Sequence, residues 1–167
     1  AKVVGPDENC QSSAYTVENL DSWLDDLGKP DVVHWNNGLH DVGHNSQRDP
    51  EQLSSRDYTS NLEQILEKLL STGANVIWAT TTPVHPDREG GGQWSWENDE
   101  INKYNKAALD VMKKHSVRVN NLHATIASNP NLFLADDGLH LSEEGKKACA
   151  TAVARELEKA LERQTET

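Results

Sequence analysis

The sequence predicts a three-layer α/β fold, with a parallel sheet covered by helices on both faces. Short apolar, strand-like runs alternate with amphipathic, helix-like stretches along the chain, and consecutive parallel strands need a crossover that a helix supplies. Polar and turn-forming residues collect directly after the strand-like runs, where sites gather in parallel sheets. At 167 residues the chain suits one domain, residues 1–167, large enough to bury a core. No internal repeat and no second domain is visible.

Each element has a local reason. Lys2–Val4 reads as a short strand, followed by a loop with Gly5, Pro6, Asp7 and Asn9. Thr16 is placed to cap a helix in which Val17, Leu20, Leu24 and Leu27 recur at helical spacing, and Gly28 stops it. After Pro30, Asp31-Val32-Val33-His34-Trp35 reads as a buried strand, and a polar loop then reaches Ser54. Tyr58, Leu62, Ile65, Leu66, Leu69 and Leu70 share one face of the next helix, which Gly73 ends. Asn75–Thr80 reads as a strand buried on both faces, followed by a long Gly/Pro loop and a helix through Ile101, Tyr104, Ala108, Leu109 and Met112. Val117 and Val119 mark a last strand. The final helix starts near Ser142 and runs through Ala148, Ala152, Val153, Leu157 and Leu161.

Charge narrows the function. Sixteen basic against 27 acidic residues give a formal charge of −11, which argues against nucleic acid, because a phosphate backbone needs a basic face. The acidic residues read as solvating the outer helices. No apolar stretch approaches the roughly 20 residues of a membrane span, so no membrane partner is expected. Cys10 and Cys149 are too few for a disulfide scaffold, and Cys149 reads as a small core residue.

Two blocks carry chemistry. In Asp137-Gly138-Leu139-His140, followed by Ser142 at a helix start, a carboxylate three residues from an imidazole can fix its tautomer. The other ring nitrogen is then free as a general base. The plain alternative is a pair that shapes the loop. In Trp35-Asn36-Asn37-Gly38-Leu39-His40-Asp41, Gly38 allows close approach at the end of a strand. Asn37 and His40 there offer N–H donors for a developing oxyanion, or else serve ordinary turn chemistry.

Taken in order, these blocks resemble the SGNH/GDSL hydrolase family. Gly38-Leu39-His40-Asp41 is similar to its third block, Gly-x-Asn-Asp, with His40 in place of Asn, and Asp137-Gly138-Leu139-His140 to its fifth, Asp-x-x-His. Trp78–Pro83 resembles the family's strand ending in a polar-Pro turn. Pro6–Cys10 followed by Asn19–Leu24 resembles a bacterial subgroup of GDSL-like acylhydrolases. The likeness implies a flavodoxin-like SGNH-hydrolase fold and hydrolysis of a carboxylic ester, with an acetylated carbohydrate as one candidate substrate and no cofactor. His140 would be the general base and Asp137 its orienting carboxylate. His40 and the Cys10 backbone N–H would hold the oxyanion, with Asn37 as the fallback donor.

The family's first block, Gly-Asp-Ser, whose Ser is the nucleophile, does not occur in these 167 residues. In the family the strand before it lies between strands two and three, so Lys2–Val4 would match strand two and stand beside an empty slot. A buried unpaired edge is costly. The expectation is a fold lacking its first strand. An upstream segment, another chain through homo-oligomerisation or strand exchange, or a rearranged sheet would close the gap. Ser12 and Ser13 are fallback nucleophiles, as is the Cys10 thiol; each also reads as an ordinary loop residue.

Gly90-Gly91-Gly92 before Trp94 and Trp96 suggests a mobile lid or a platform on which a sugar ring stacks, with packing against the body as the alternative. His40, Asp41, Asp137 and His140 can be drawn as metal ligands, but no H-E-x-x-H or comparable spacing supports that, and no metal is expected. The rival to an esterase is a non-catalytic domain that at most binds a small ligand.

Overall fold

The computed structural model describes residues 2–87 and 93–162. Its elements are α1 (Ser13–Leu27), β1 (Val32–Trp35), the single turn α2 (Leu39–Val42), β2 (His44–Asn45), α3 (Ser55–Ser71), β3 (Asn75–Ala79) and β4 (Trp94–Ser95). There follow α4 (Asn98–Lys114), β5 (Arg118–Asn120), the short α5 (Leu122–Ala127) and α6 (Pro130–Phe133), and α7 (Glu143–Glu162). β1, β3 and β5 form a parallel sheet in that spatial order, with Trp35 beside Trp78 and Trp78 beside Val119. β2 and β4 make a separate two-residue antiparallel ribbon.

Side chains alternate across the sheet. Val33, Trp35, Val76, Trp78, Val117 and Val119 face Leu20 and Trp23 of α1, Leu62, Ile65 and Leu66 of α3, and Ile101 and Met112 of α4, forming the main core. The other face carries His34, Asn75, Ile77, Arg118 and Asn120, and α7 lies across it. Its polar groups are satisfied locally. Asn120 donates to His34 Nε2 at 3.1 Å, Asn75 donates to the Ala160 carbonyl at 3.5 Å, and Arg118 faces Glu156 at 3.6 Å. The helical layers therefore adhere differently, one by apolar burial and the other largely by matched polar contacts. Ile126, Leu134 and Cys149 form a second small cluster beneath the turn before α7.

Three expectations change. Lys2–Val4 forms no strand: Val3 and Val4 are exposed and pair with no ladder. A strand exists only by pairing, and this run ends at Gly5-Pro6. The segment is instead tied down at Glu8, whose carboxylate accepts from Tyr15 Oη at 2.6 Å and from Trp23 Nε1 at 3.0 Å. The cap of α1 is Ser12, whose hydroxyl accepts the Tyr15 N–H; Thr16 lies inside the helix. The polar stretch after His40 holds α2 and β2, too short to show a period.

What fixes the start of α1 is a buried carboxylate. Asp41, fully buried, accepts the Ser13 N–H at 2.8 Å and the Ser13 hydroxyl at 2.6 Å, and Asn61 donates to that hydroxyl at 3.1 Å. Its second oxygen, Oδ2, has no partner among the described residues. Burial pushes the Asp41 carboxyl up to about 6, with the Ser13 bonds only partly offsetting it.

Two outcomes are expected. A Cβ on Gly145 would stand 2.1 Å from the Phe133 carbonyl oxygen, which already accepts the Ser142 N–H. Gly145→Ala should therefore cost about 2 kcal/mol in urea unfolding, and a loss below about 0.5 kcal/mol would show that the Phe133 turn gives way freely. For Asp41, the folded state binds a proton that the unfolded chain has released between pH 3.8 and about 6, so its contribution to stability falls as pH rises through that window. Asp41→Asn keeps an acceptor for Ser13 but cannot titrate. The stability difference between wild type and Asp41→Asn should change by on the order of 2 kcal/mol from pH 4 to pH 7; parallel stability curves would refute the raised carboxyl.

Candidate active site

The carboxyl ends of β1, β3 and β5 open onto one edge, and the chemistry-bearing residues lie in the loops there. Directly after β1, Asn36 donates to the Ala79 carbonyl at 2.7 Å and to Thr81 Oγ1 at 3.3 Å, joining the ends of β1 and β3. Gly38 has the close approach expected of it: a Cβ there would meet Thr81 Oγ1 at 2.0 Å. Beyond β3, Asn105 and His123 hold the Thr81 backbone, Asn105 accepting its N–H at 2.8 Å and His123 Nδ1 lying 2.9 Å from its carbonyl. A carbonyl only accepts, so Nδ1 carries the proton. These braces leave the loop after β3 little freedom as it leads to His85.

The Asp137–His140 turn is attached to that loop. The His85 N–H donates to the Gly138 carbonyl at 2.8 Å. The buried His85 ring accepts the Asp87 N–H on Nδ1 at 3.1 Å and meets Asn131 Oδ1 through Nε2 at 2.9 Å, an arrangement that fixes the neutral Nε2–H tautomer. Within the turn, Asp137 Oδ1 accepts the N–H groups of Leu139 and His140, both at 2.9 Å, and Oδ2 lies 2.7 Å from His140 Nδ1. These contacts, the Leu139 N–H foremost and the His140 ring next, hold the Asp137 carboxyl down to about 2. It is thus ionised across ordinary pH and holds the imidazole with Nδ1–H inward. His140 Nε2 has no partner among the described residues, and the side chain is 77% exposed. Ser142, whose hydroxyl donates to the Leu132 carbonyl and accepts the Gly145 N–H, sets the start of α7 directly after the turn.

The loop before α1 meets the β1 loop through buried polar contacts. Asn37, 2% exposed, accepts Trp35 Nε1 at 2.7 Å and donates to Thr16 Oγ1 at 2.9 Å and to the Gln11 carbonyl at 3.3 Å. Both its N–H groups are spent, so Asn37 is a brace. Thr16 in turn donates to the Cys10 carbonyl at 3.0 Å. The structure thereby brings Cys10 and Gln11 beside the Asn37–Asp41 segment. The Cys10 N–H meets no acceptor among the described residues, while burial and nearby Glu8 push its thiol pKa up and keep it protonated. The Ser13 hydroxyl is buried against Asp41, and the Ser12 hydroxyl caps α1. No serine, threonine or cysteine among the described residues donates to His140.

His40, the second residue of α2, has neither ring nitrogen hydrogen-bonded among the described residues. It is half-buried, and burial first, then nearby Arg48, lowers its pKa. Trp94 stands edge-on to it, with ring centroids 5.4 Å apart, and Trp96 stacks on Trp94 at 5.7 Å. The two indoles expected to border a sugar are thus packed together and against His40. The glycine-rich lid expected before it, residues 88–92, lies outside the described residues. Among the described residues no three His, Cys, Asp or Glu side chains gather as metal ligands would.

Sequence reasoning found the Asp137–His140 pair and the His40 segment but missed the work of Arg48, Asn105, His123 and Asn61. Each acts on a residue far away in the chain, and no local pattern announces such a partner.

Comparison with known proteins places the fold and the family. A solved lipase/acylhydrolase from Enterococcus faecalis is 22% identical and superposes with a TM-score of 0.70 over 88% of this chain and 70% of its own. A carbohydrate esterase family 3 protein from Talaromyces cellulolyticus is 16% identical, with a TM-score of 0.73 over 93% and 70%. An acetyl xylan esterase is 15% identical, with a TM-score of 0.70 over 89% and 77%. At such identities the likeness is one of fold. The sequence model of the GDSL-like lipase/acylhydrolase family matches residues 7–148, a span that holds every site residue described above, and the chain belongs to that family.

Proposed function

We propose that this chain is built for hydrolysis of a carboxylic ester with a small acyl group, and that Asp137 and His140 are its acid–base pair. The observation that carries the reading is the 2.7 Å contact between an ionised Asp137 and His140 Nδ1, with Nε2 left open. His140 Nε2 takes the proton of an attacking hydroxyl, whose oxygen bonds to the ester carbon. The negative charge that develops on the carbonyl oxygen is held by a ring N–H of His40 and the unengaged N–H of Cys10. The imidazolium, stabilised by Asp137, gives its proton to the departing alkoxide as the C–O bond breaks. A water molecule then repeats the sequence on the acyl group. The likeness to an acetyl xylan esterase and a carbohydrate esterase supports an acetylated carbohydrate as substrate. Trp94 and Trp96 would border the bound sugar.

No hydroxyl among the described residues contacts His140, and this observation favours one second reading, a domain that binds an acylated ligand without cleaving it. p-Nitrophenyl acetate separates the two. The ester reading expects turnover that falls about 100-fold or more in His140→Ala; equal rates in the two proteins would remove it. Loss of turnover in Ser12→Ala or Cys10→Ala would place the nucleophile within the loop before α1. His40→Ala should lower kcat about 100-fold with little effect on KM, whereas an unchanged kcat would take His40 out of the oxyanion role.

A further inference from the structure

The assembly around His40 goes beyond what the proposed reaction requires. Arg48 Nη1 donates to the His40 carbonyl at 2.9 Å, and its guanidinium carbon lies 5.0 Å from the centre of the Trp94 ring. Trp94 in turn stands edge-on to the His40 imidazole. One side chain thus grips His40 at its backbone directly and at its ring through an indole. Trp96 closes the group, stacking on Trp94 and donating Nε1 to the Leu39 carbonyl at 2.8 Å. Both indoles press on the backbone of Gly43, where a Cβ would lie 2.5 Å from Trp96 Nε1 and 2.9 Å from Trp94 Cε3.

In a chain with 27 acidic and 16 basic residues, most cations can find a carboxylate. Arg48 forms no ion pair among the described residues; its guanidinium meets a carbonyl and a π-face, both belonging to the His40 surroundings, and its charge also lowers the pKa of the neighbouring buried Asp41 carboxyl. Asp41, the next residue along, spends its carboxylate on Ser13. Arg48 is the cation acting on the imidazole. A guanidinium beside an imidazole opposes its protonation by like charge, and stacking over an indole suits Arg better than Lys.

We infer that Arg48 is a positioning residue for His40, fixing the ring through Trp94 and keeping it a neutral N–H donor. The inference rests on the oxyanion role proposed for His40, and its test has one part independent of that role. The His40 ring signals, identified among the seven histidines by their loss in His40→Gln, are followed by NMR against pH in wild type, Arg48→Gln, Arg48→Lys and Arg48→Met. Gln keeps a donor for the carbonyl without the charge, and Lys keeps the charge. The titration midpoint should rise by on the order of half a pH unit in Gln and Met and return toward wild type in Lys. Identical midpoints and ring shifts in all the folded variants would overturn the inference, and should Met fail to fold, the Gln–Lys contrast decides it. On p-nitrophenyl acetate, Arg48→Met should lose about tenfold in kcat with KM within about twofold. A moved titration with unchanged kcat would overturn the positioning role in turnover. A wild type that cleaves no ester would count against the proposed reaction alone, since the titration still reads the grip of Arg48 on His40.

Discussion

The site end of the molecule hangs on the buried carboxylate of Asp41. It joins the first turn of α1 to the loop after β1, segments 28 residues apart in the chain. Through that junction Cys10 and Gln11 come to lie beside Asn37 and Thr16. A carboxylate without solvent is a costly fastener, as its raised pKa shows. An apolar pair of the same volume would pack as well, but it would not dictate which backbone N–H meets which oxygen. The two short bonds to Ser13 and the Asn61 bond behind them set direction as well as proximity. The other braces of this edge, Asn37 on Gln11 and Thr16 on Cys10, presuppose that alignment.

Two carboxylates of this edge occupy opposite electrostatic conditions. Asp41 is dehydrated and titrates near 6, while Asp137, about half exposed, accepts three hydrogen bonds and is held near 2. Environments that push like groups apart in this way assign them different tasks. The carboxylate near 2 stays charged beside an imidazole and can stabilise its cation. The one near 6 is directed at a helix start, and no imidazole contacts it among the described residues. His40 extends the contrast. Burial and Arg48 disfavour its protonation, whereas His140 stands in solvent against a permanent anion.

What the sequence reveals of this arrangement follows the range of the interactions. The Asp137–His140 turn is legible because its bonds span two and three residues. The core helices are legible because Leu62, Ile65, Leu66 and Leu69 repeat on one face. Lys2–Val4 misleads because two valines suit a strand, yet pairing is a long-range property that three residues before Gly5-Pro6 do not encode. Asn37 looks like a free donor in a turn and proves to be a brace, since its acceptors Gln11 and Thr16 lie on another element. The packing of Trp94 and Trp96 has no local sign for the same reason, their partners Leu39, His40 and Arg48 being some 46 to 57 residues earlier.

The uneven burial of the site bears on how the proposed reaction would divide its work between the two histidines. Fixed donors stabilise a developing charge far better away from water than in it. The half-buried His40, walled by Trp94, meets that condition, and the exposed His140 does not. The proposed reaction thus pairs a shielded donor for the oxyanion with a general base open to solvent, so proton transfer to the leaving alcohol falls on the open side.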